Sequence, residues 1–346
     1  MTCEIVPVST KADWHDFLSL PGLIYQKSEL EKLLPWEAIN RKFRLSSNPF
    51  LAHIEWTAFL AREKGQTLGR IVASVDHLCP EPTWGFFGFF ECVEDQNIAG
   101  RLLQVAGEWL AGRRRLTAFG PISLSTSDNL GCLIEGFEQP NPFYLPYNPP
   151  YYAKLICQAG WESSHDLYAY AWEDSQKLSE RLLRISKRLQ GSGRVKIRPL
   201  NYRKLAAEAR FFFHIYNQAM KNNWGHIPLT EKEAYFILAS HRRLIPPEYF
   251  LWAEVEGRPA GLLMAQPNFR QNSLRLILLA VKPSYQHLGL SALLITRLLN
   301  IARQDGISGA ELSFVQEGNT IVNRLISHDT GSQIIKRYRL FRKDLT

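Results

Sequence analysis

The sequence lacks the residue patterns that mark several common classes of protein. Its five cysteines form no CxxC pair and cannot all pair with one another, so they indicate reduced thiols in a cytoplasmic protein. Its nine histidines form no HxxxH or HExxH motif, so we predict no metal site. No apolar run reaches the roughly 18 residues of a membrane-spanning helix. The first residues show no basic segment followed by an apolar one, so we expect neither a membrane span nor export.

What the sequence does contain is typical of a globular protein with two cores. It has 346 residues, of which 45% are hydrophobic and 21% charged, and domains usually hold about 100–200 residues. The net charge of +8 favours anionic partners. Nucleic acid is one such partner, but no nucleic-acid-binding motif accompanies the charge. A phosphorylated cofactor or ordinary solubility accounts for the charge equally well.

An internal repeat runs through the chain at an offset of about 192 residues. The segments FLAREKGQTLGRI (59–71) and FLWAEVEGRPAGLL (250–263) both predict a hairpin with a glycine turn. Each is followed by an apolar strand (84–93 and 274–281) and an amphipathic helix (100–114 and 291–305). The alternative is that any two α/β segments look alike, but the matched glycine spacing favours a duplicated architecture.

The repeat divides the chain into two domains with a helix between them. Residues 174–193 predict that linker helix, because apolar residues form one narrow stripe along it and a glycine-rich stretch follows it. We therefore expect one domain over residues 1–173 and a second over residues 194–346.

The segment QHLGLS (286–291) carries the clearest functional signal. It joins a predicted strand to a predicted helix, and the first N–H groups of a helix have no partners within the helix. Together with the helix dipole, these groups form a site for an anion such as a phosphate. Gly289 permits a positive φ and a close approach to the backbone, and Ser291 keeps the start of the helix small. Neither GxGxxG nor GxxxxGK[ST] is present, so we do not expect a Rossmann or P-loop nucleotide site.

Gln286-x-x-Gly289-x-Ser291 after an apolar strand resembles the acyl-CoA pyrophosphate loop of the GCN5-related N-acetyltransferase (GNAT) superfamily. The resemblance covers about residues 195–346, and serine stands where the family pattern has glycine or alanine. It implies an α/β fold with a mixed sheet, built as two tandem acyl-CoA N-acyltransferase-like domains joined by a helix. It also implies acetyl-CoA or another acyl-CoA as co-substrate, with no metal. The residues implied to bind CoA are Leu279, Ala280, Val281, Gln286, His287, Leu288, Gly289, Leu290, Ser291, Ala292 and Asn319.

The N-terminal half resembles the same fold with a degenerate CoA loop. Alignment through the two helices places Ile98 opposite Gly289, Gly100 opposite Ser291 and Asp95 opposite Gln286. An isoleucine at the turn and acidic neighbours oppose phosphate binding by bulk and by charge. We therefore expect only the C-terminal half to bind CoA.

The resemblance implies acyl transfer to an amine, which needs a general base and an acid for the leaving thiolate. Glu311 and Glu254 are the candidates for the base, and Tyr338 is a candidate for the acid, because Ile326 stands where the family often has its tyrosine. A strand-end carboxylate facing water is the ordinary alternative for each glutamate. The candidates for contacts with the amine substrate are Trp224, His226 and Ser313.

Three functions stay open at this level. The first is an N-acyltransferase that uses an acyl-CoA and a small-molecule or peptide amine. The second is a non-catalytic CoA-binding or sensor protein, suggested by Ile326. The third is an aminoacyl transferase that uses charged tRNA, suggested by the tandem architecture and the basic charge. The first is the prediction we adopt, with nucleic acid and membranes not expected as partners and the oligomeric state open.

Overall fold

The structure is a computed structural model that describes residues 3–345. The strands of that part of the chain are β1 Glu4–Pro7, β2 Ile54–Glu63, β3 Gln66–Asp76, β4 Trp84–Cys92, β5 Thr117–Gly120, β6 Cys132–Glu135, β7 Glu162–Glu173, β8 Val195–Pro199, β9 Phe250–Val255, β10 Arg258–Asn268, β11 Ser273–Val281, β12 Gly309–Gln316 and β13 Gln333–Asp344.

Helices of very different length connect these strands. They are α1 Lys11–Ser19, α2 Pro21–Ile24, α3 Lys27–Leu30, α4 Trp36–Lys42, α5 Gln96–Ala111, α6 Tyr152–Gln158, α7 Glu180–Gly191, α8 Leu205–Met220, α9 Glu231–His241, α10 Leu290–Gln304 and α11 Thr320–Arg324. Short helical segments of one or two turns occur at Pro49–Ala52, Tyr202–Lys204, Pro247–Tyr249, Phe269–Gln271, Pro283–Leu288 and Leu325–Asp329.

The chain forms two compact units. Unit 1 contains the described residues up to Leu167, the short segment Gly225–Ile227 and the residues from Lys336 onward, and unit 2 contains the rest. The sequence predicts a boundary at residues 173–194 and assigns the last strand to the second domain. In the structure the chain passes from unit 1 to unit 2 between residues 167 and 168, and most of β13 belongs to unit 1.

The two units have the same strand order. In unit 1, β1, β2, β3 and β4 are consecutive antiparallel neighbours, and β5 lies parallel to β4. In unit 2, β8, β9, β10 and β11 repeat this arrangement, with β12 parallel to β11. A long helix, α5 or α10, connects the last two strands of each series. The order hairpin, strand and helix that the sequence repeat predicts therefore occurs twice.

The two hairpin turns also match in backbone conformation. Lys64 and Gly65 have φ of 50° and 79°, and Glu256 and Gly257 have φ of 51° and 77°. Positive φ at both central residues defines the tight turn whose twist suits an antiparallel hairpin. The glycine of each pair therefore has the same structural role.

The amphipathic pattern predicted for residues 290–304 is confirmed by α10. Leu290, Leu294, Leu298 and Ile301 are all buried, because one stripe of the helix covers the sheet. In unit 2, α7 packs on α10, and Ser186 and Thr296 join the two helices through hydroxyls 2.6 Å apart. The segment predicted as a linker is therefore part of unit 2.

Candidate functional site

The parallel strands β11 and β12 separate partway along their length. Their pairing runs from Ser273–Gly309 to Leu276–Leu312, whereas β11 continues to Val281 and β12 to Gln316. The register of β11 against β10 also shifts at this level, where Ile277 is the extra residue. Such a bulge bends a strand away from its neighbour. The result is a gap between the carboxyl ends of two neighbouring parallel strands.

The turn that leaves β11 brings an uncapped helix to this end of the sheet. Gly289 is the N-cap of α10, has φ of 86° and provides no side-chain cap for the helix. Gln286 donates a weak hydrogen bond from Nε2 to the carbonyl of Val281 at 3.4 Å, which ties the turn to the end of β11. The first N–H groups of a 15-residue helix therefore lie at the start of α10 without an acidic side chain to accept their hydrogen bonds.

The space beside Gly289 gives a second reason for the glycine. A Cβ added to Gly289 would lie 2.5 Å from Cγ2 of Ile185 on α7, closer than packed carbon atoms approach. Gly289 therefore allows both a left-handed turn and the close packing of α7. The sequence predicts the first role but not the second.

The corresponding turn in unit 1 is closed by its own side chain. Asp95 is the N-cap of α5 and accepts hydrogen bonds from the backbone N–H groups of Asn97 at 2.8 Å and Ile98 at 3.1 Å. An acidic side chain thus occupies the position that a phosphate would take, and its charge repels one. The alignment that placed Ile98 at the turn is wrong: the turn is shorter in unit 1, Ile98 is buried inside α5, and Asp95 is the residue opposite Gly289.

All the residues predicted to bind CoA belong to unit 2. All of them except Asn319 lie along the end of β11, the turn after it and the start of α10. Leu279, Ala280 and Val281 form the end of β11 beyond its pairing with β12, and the others from Gln286 to Ala292 form the turn and the start of α10. Gln286 and His287 are exposed, whereas Leu290 and Ala292 are buried. Asn319 instead caps α11, where its Oδ1 accepts a hydrogen bond from the N–H of Val322 at 3.2 Å.

Lys282 is a cation at this turn that sequence reasoning did not single out. It follows β11 directly, and its N–H donates to the carbonyl of Ala260 at 2.9 Å. Burial of the half-buried side chain lowers the pKa of its amine. A lysine immediately after a strand and before a glycine turn is the sequence signal that points to this position.

Glu311 and Ser313 form a buried polar cluster with Arg275 where the strands separate. Ser313 donates from Oγ to Glu311 Oε1 at 3.2 Å and accepts from Arg275 Nε at 3.1 Å. Arg275 is also the cross-strand partner of Glu311. Glu311 lies just before the last paired position of β12 and Ser313 just after it. A carboxylate held in this way is a suitable proton acceptor at the base of the gap.

Glu254 occupies a different environment. Its Oε1 accepts from Arg198 Nε at 2.6 Å, and the same guanidinium bonds Glu208 at 3.0 Å. Glu208 also accepts from the indole of Trp252. These bonds hold the side chain of Glu254 in one position on β9, which β10 separates from β11, and this favours a structural role for Glu254 over the role of general base.

The candidate for the acid, Tyr338, and Ile326, the residue at the family's tyrosine position, are both buried. Tyr338 lies in the part of β13 that belongs to unit 1 and is fully buried. Ile326, which replaces the expected tyrosine, is 4% exposed in the turn after α11. Isoleucine has no proton to transfer and Tyr338 belongs to unit 1, which favours a structural role for both side chains.

The loop between α8 and α9 contains Trp224 and His226. The carbonyl of Trp224 accepts from Gln316 Nε2 at 3.0 Å, so this residue is fastened to the carboxyl end of β12 within unit 2. His226 is assigned to unit 1, and burial lowers its pKa. Trp224 therefore lies at the carboxyl end of β12 in unit 2, whereas His226 belongs to unit 1.

Two further findings concern metals and membranes. Residues 3–345 contain no group of three or more His, Cys, Asp or Glu side chains arranged to hold a metal ion. None of the helices in this part of the chain is long and apolar enough to cross a membrane.

Comparison with known proteins identifies similar sequences over the whole chain. Residues 209–329 match the sequence model described as the acetyltransferase (GNAT) family. The chain is 28% identical to the bacterial ceramide synthase of Caulobacter vibrioides, with 99% of this chain and 97% of that protein covered. It is also 28% identical to protein YghO of Escherichia coli, with 97% and 94% covered.

A solved structure shows the same fold at low identity. A tandem GNAT protein from the clavulanic acid biosynthesis pathway matches 100% of this chain and 99% of its own length, with a TM-score of 0.60 and 12% identity. Similarity at this identity concerns the fold alone. It covers both halves of the chain and is not limited to residues 209–329.

Proposed function

Because the chain is a tandem-domain member of the GNAT superfamily of N-acyltransferases, as its sequence predicted, we propose that unit 2 binds an acyl-CoA and transfers the acyl group to a long-chain amine. The observation that carries this proposal is the uncapped start of α10 beside the gap between β11 and β12. Asp95 closes the corresponding helix of unit 1, so the proposal assigns acyl-CoA to unit 2 only.

The proposed roles follow from the positions of the side chains. The start of α10 holds the anionic pyrophosphate through backbone N–H groups, and Lys282 adds a nearby positive charge. The backbone of Leu279 to Val281 borders the gap and supplies hydrogen bonds there. Glu311 accepts the proton that the amine must lose. The bound acyl-CoA supplies a thioester carbonyl carbon for the new C–N bond and a thiolate leaving group.

The acceptor class comes from the relatives and not from the polar residues of unit 2. One full-length relative is named a ceramide synthase, and a ceramide is an amide formed on a long-chain amino alcohol. We therefore propose an amine that carries a long alkyl chain. Short polar amines are the alternative that the experiment must exclude.

The experiment measures thiol release from acyl-CoA with long-chain and short amines, together with mass spectrometry of the amide. The test variant is Ser291→Asp, which places a negative charge in the first turn of α10, where it is compatible with the helix dipole. The matched control is Gln304→Glu, which makes the same change of charge at the other end of α10, roughly 20 Å away.

Two unit charges about 4 Å apart repel by about 1 kcal/mol even in water. A pyrophosphate carries two charges, so we expect Ser291→Asp to weaken acyl-CoA binding on the order of 30-fold. Gln304→Glu should bind as the parent does, because it lies beyond the screening length of about 8–10 Å. Equal acyl-CoA affinity of the two variants, or turnover only with short amines, would contradict the proposal.

A further inference from the structure

Unit 1 contains a cavity of about 550 Å³ that no sequence pattern predicts. It lies at the carboxyl ends of β4 and β5, whose pairing runs only from Trp84–Thr117 to Phe86–Phe119. Phe89 and Phe90, beyond that pairing, form part of its wall. The volume is within the roughly 300–1,000 Å³ of typical small-molecule sites.

The cavity runs from the surface into the interior of unit 1. At the surface its lining includes Leu30, Trp36 and Tyr144, whose side chains are exposed. In the interior it includes the fully buried Ile156 and the 2% exposed Leu145. Large apolar side chains therefore line the cavity at both depths, which suits an alkyl chain and not a polar metabolite.

A buried ion pair is one of the polar parts of the wall. Arg70 and Glu91 are cross-strand neighbours on β3 and β4, with Arg70 Nη2 3.4 Å from Glu91 Oε1. The other oxygen of Glu91 accepts from the hydroxyls of Tyr25 at 2.8 Å and Tyr152 at 2.7 Å. The second guanidinium nitrogen of Arg70, Nη1, donates to the carbonyl of Phe17. The pair has no net charge, so it does not attract a ligand of either sign.

The Nε–H of Arg70 is a donor that a ligand can use. The side chain is 2% exposed, and its Nε is buried without a hydrogen-bond partner among the described residues. A buried donor without a partner costs free energy, and an oxygen on a bound molecule removes that cost. The oxygen must belong to an uncharged group, because a carboxylate would face Glu91 and an ammonium would face Arg70.

We propose that this cavity binds a single alkyl chain that carries an uncharged hydroxyl or carbonyl group. The apolar wall holds the chain, and Arg70 donates to the oxygen. The cavity does not bind the pyrophosphate of an acyl-CoA, because Asp95 caps the helix that follows β4. The proposal does not depend on the proposed function, because it concerns a chain that carries an uncharged oxygen and not the ammonium end of an amine substrate.

The experiment uses the full chain and the neutral dye Nile red, displaced by dodecanol, dodecanoate or dodecylamine. These three competitors share one chain length and differ only in the charge of the end group. We expect dodecanol to displace the dye at a concentration on the order of ten-fold lower than the two charged competitors. Absence of dye binding, or equal competition by all three molecules, would overturn the proposal.

Two substitutions test the ion pair by a change of preference. Glu91→Gln leaves the guanidinium of Arg70 unpaired, so dodecanoate should become the best competitor. Arg70→Gln leaves the carboxylate of Glu91 unpaired, so dodecylamine should become the best. A purely structural pair would weaken all three competitors alike, and that result would also overturn the proposal.

A second pair of variants keeps the test decisive if those changes prevent folding. Gly22 lines the cavity, and a Cβ there meets nothing within 4 Å. Gly22→Trp should weaken Nile red binding on the order of ten-fold by filling the space. Gly100→Trp is the matched control, because Gly100 also has open space for a Cβ but does not line the cavity. Equal dye binding by the two variants would refute the site.

The same proteins separate this proposal from the proposed function. Gly22→Trp should keep the acyl-CoA affinity of the parent, and Ser291→Asp should keep its Nile red affinity. If Ser291→Asp binds acyl-CoA as tightly as the parent does, the proposed function is refuted and the cavity proposal still stands. If Gly22→Trp leaves Nile red binding unchanged, the cavity proposal is refuted and the proposed function still stands.

Discussion

Replacement of Gly289 by alanine tests how closely α7 packs on the turn before α10. Alanine at a φ of 86° costs about 1–2 kcal/mol because of the left-handed conformation. Its Cβ would also lie 2.5 Å from Ile185 Cγ2, and such overpacking costs about 1–3 kcal/mol. We therefore expect Gly289→Ala to lower the free energy of unfolding by about 2–5 kcal/mol, the sum of the two contributions.

Two matched variants separate the contributions. Gly257 has a φ of 77°, and a Cβ there meets nothing within 4 Å, so Gly257→Ala should cost only the conformational part of about 1–2 kcal/mol. Ile185→Ala removes Cγ2 and leaves Cβ 3.9 Å from the added atom, which is ordinary contact. In that background Gly289→Ala should cost about 1–3 kcal/mol less than in the parent.

The assay is urea unfolding followed by circular dichroism, with variants compared at an unchanged denaturant slope. The loss of freedom in the unfolded chain is common to both glycine-to-alanine changes, so it cancels in their difference. If the losses of unfolding free energy caused by Gly289→Ala and Ile185→Ala add up in the double variant within about 0.5 kcal/mol, the close packing of Ile185 on position 289 is refuted. The same packing is refuted by a cost at Gly289 no larger than the cost at Gly257.

Two other predictions concern pH and catalysis. Burial opposes the ionisation of Asp329, but hydrogen bonds from Arg181 and Ser179 outweigh it and lower the pKa of the carboxyl. Its stabilisation is therefore present above the unfolded-state pKa of about 4 and is lost as the pH falls through the folded-state pKa. The melting temperature of Asp329→Asn should thus approach that of the parent only below about pH 4, and a difference independent of pH would contradict the role. Glu311→Gln should lower kcat by about 10²–10⁴ with the KM for acyl-CoA unchanged, and steady-state kinetics showing a change in KM alone would exclude Glu311 as the base.

Local features of the fold were predictable because neighbouring residues encode them. The hairpin turns at Gly65 and Gly257 follow from glycine between apolar strands, and each adopts the same positive φ. The buried stripe of α10 follows from its 3.6-residue period. The alignment at Ile98 failed for a reason of the same kind, since helix periodicity does not fix the residue at which a helix begins.

The polar clusters were not predictable in the same way. Glu311 was chosen from its strand position, but its contacts with Ser313 and Arg275 depend on the register of β11 against β12. The sequence favoured Glu311 only slightly over Glu254, and only the fold places Arg198 beside Glu254. Cross-strand neighbours are set by pairing between distant segments, and no pattern along one segment reveals them.

The sequence by itself determined the repeated architecture, the glycine turn before α10 and the difference in charge between that turn and Asp95. These depend on backbone conformation and helix capping, which residues within a few positions control. Tertiary structure alone decided the packing of α7 against Gly289, the assignment of most of β13 to unit 1, and the cavity that contains Arg70 and Glu91. Each of these joins segments that are far apart in the chain, and their contacts arise only when long-range burial brings the segments together.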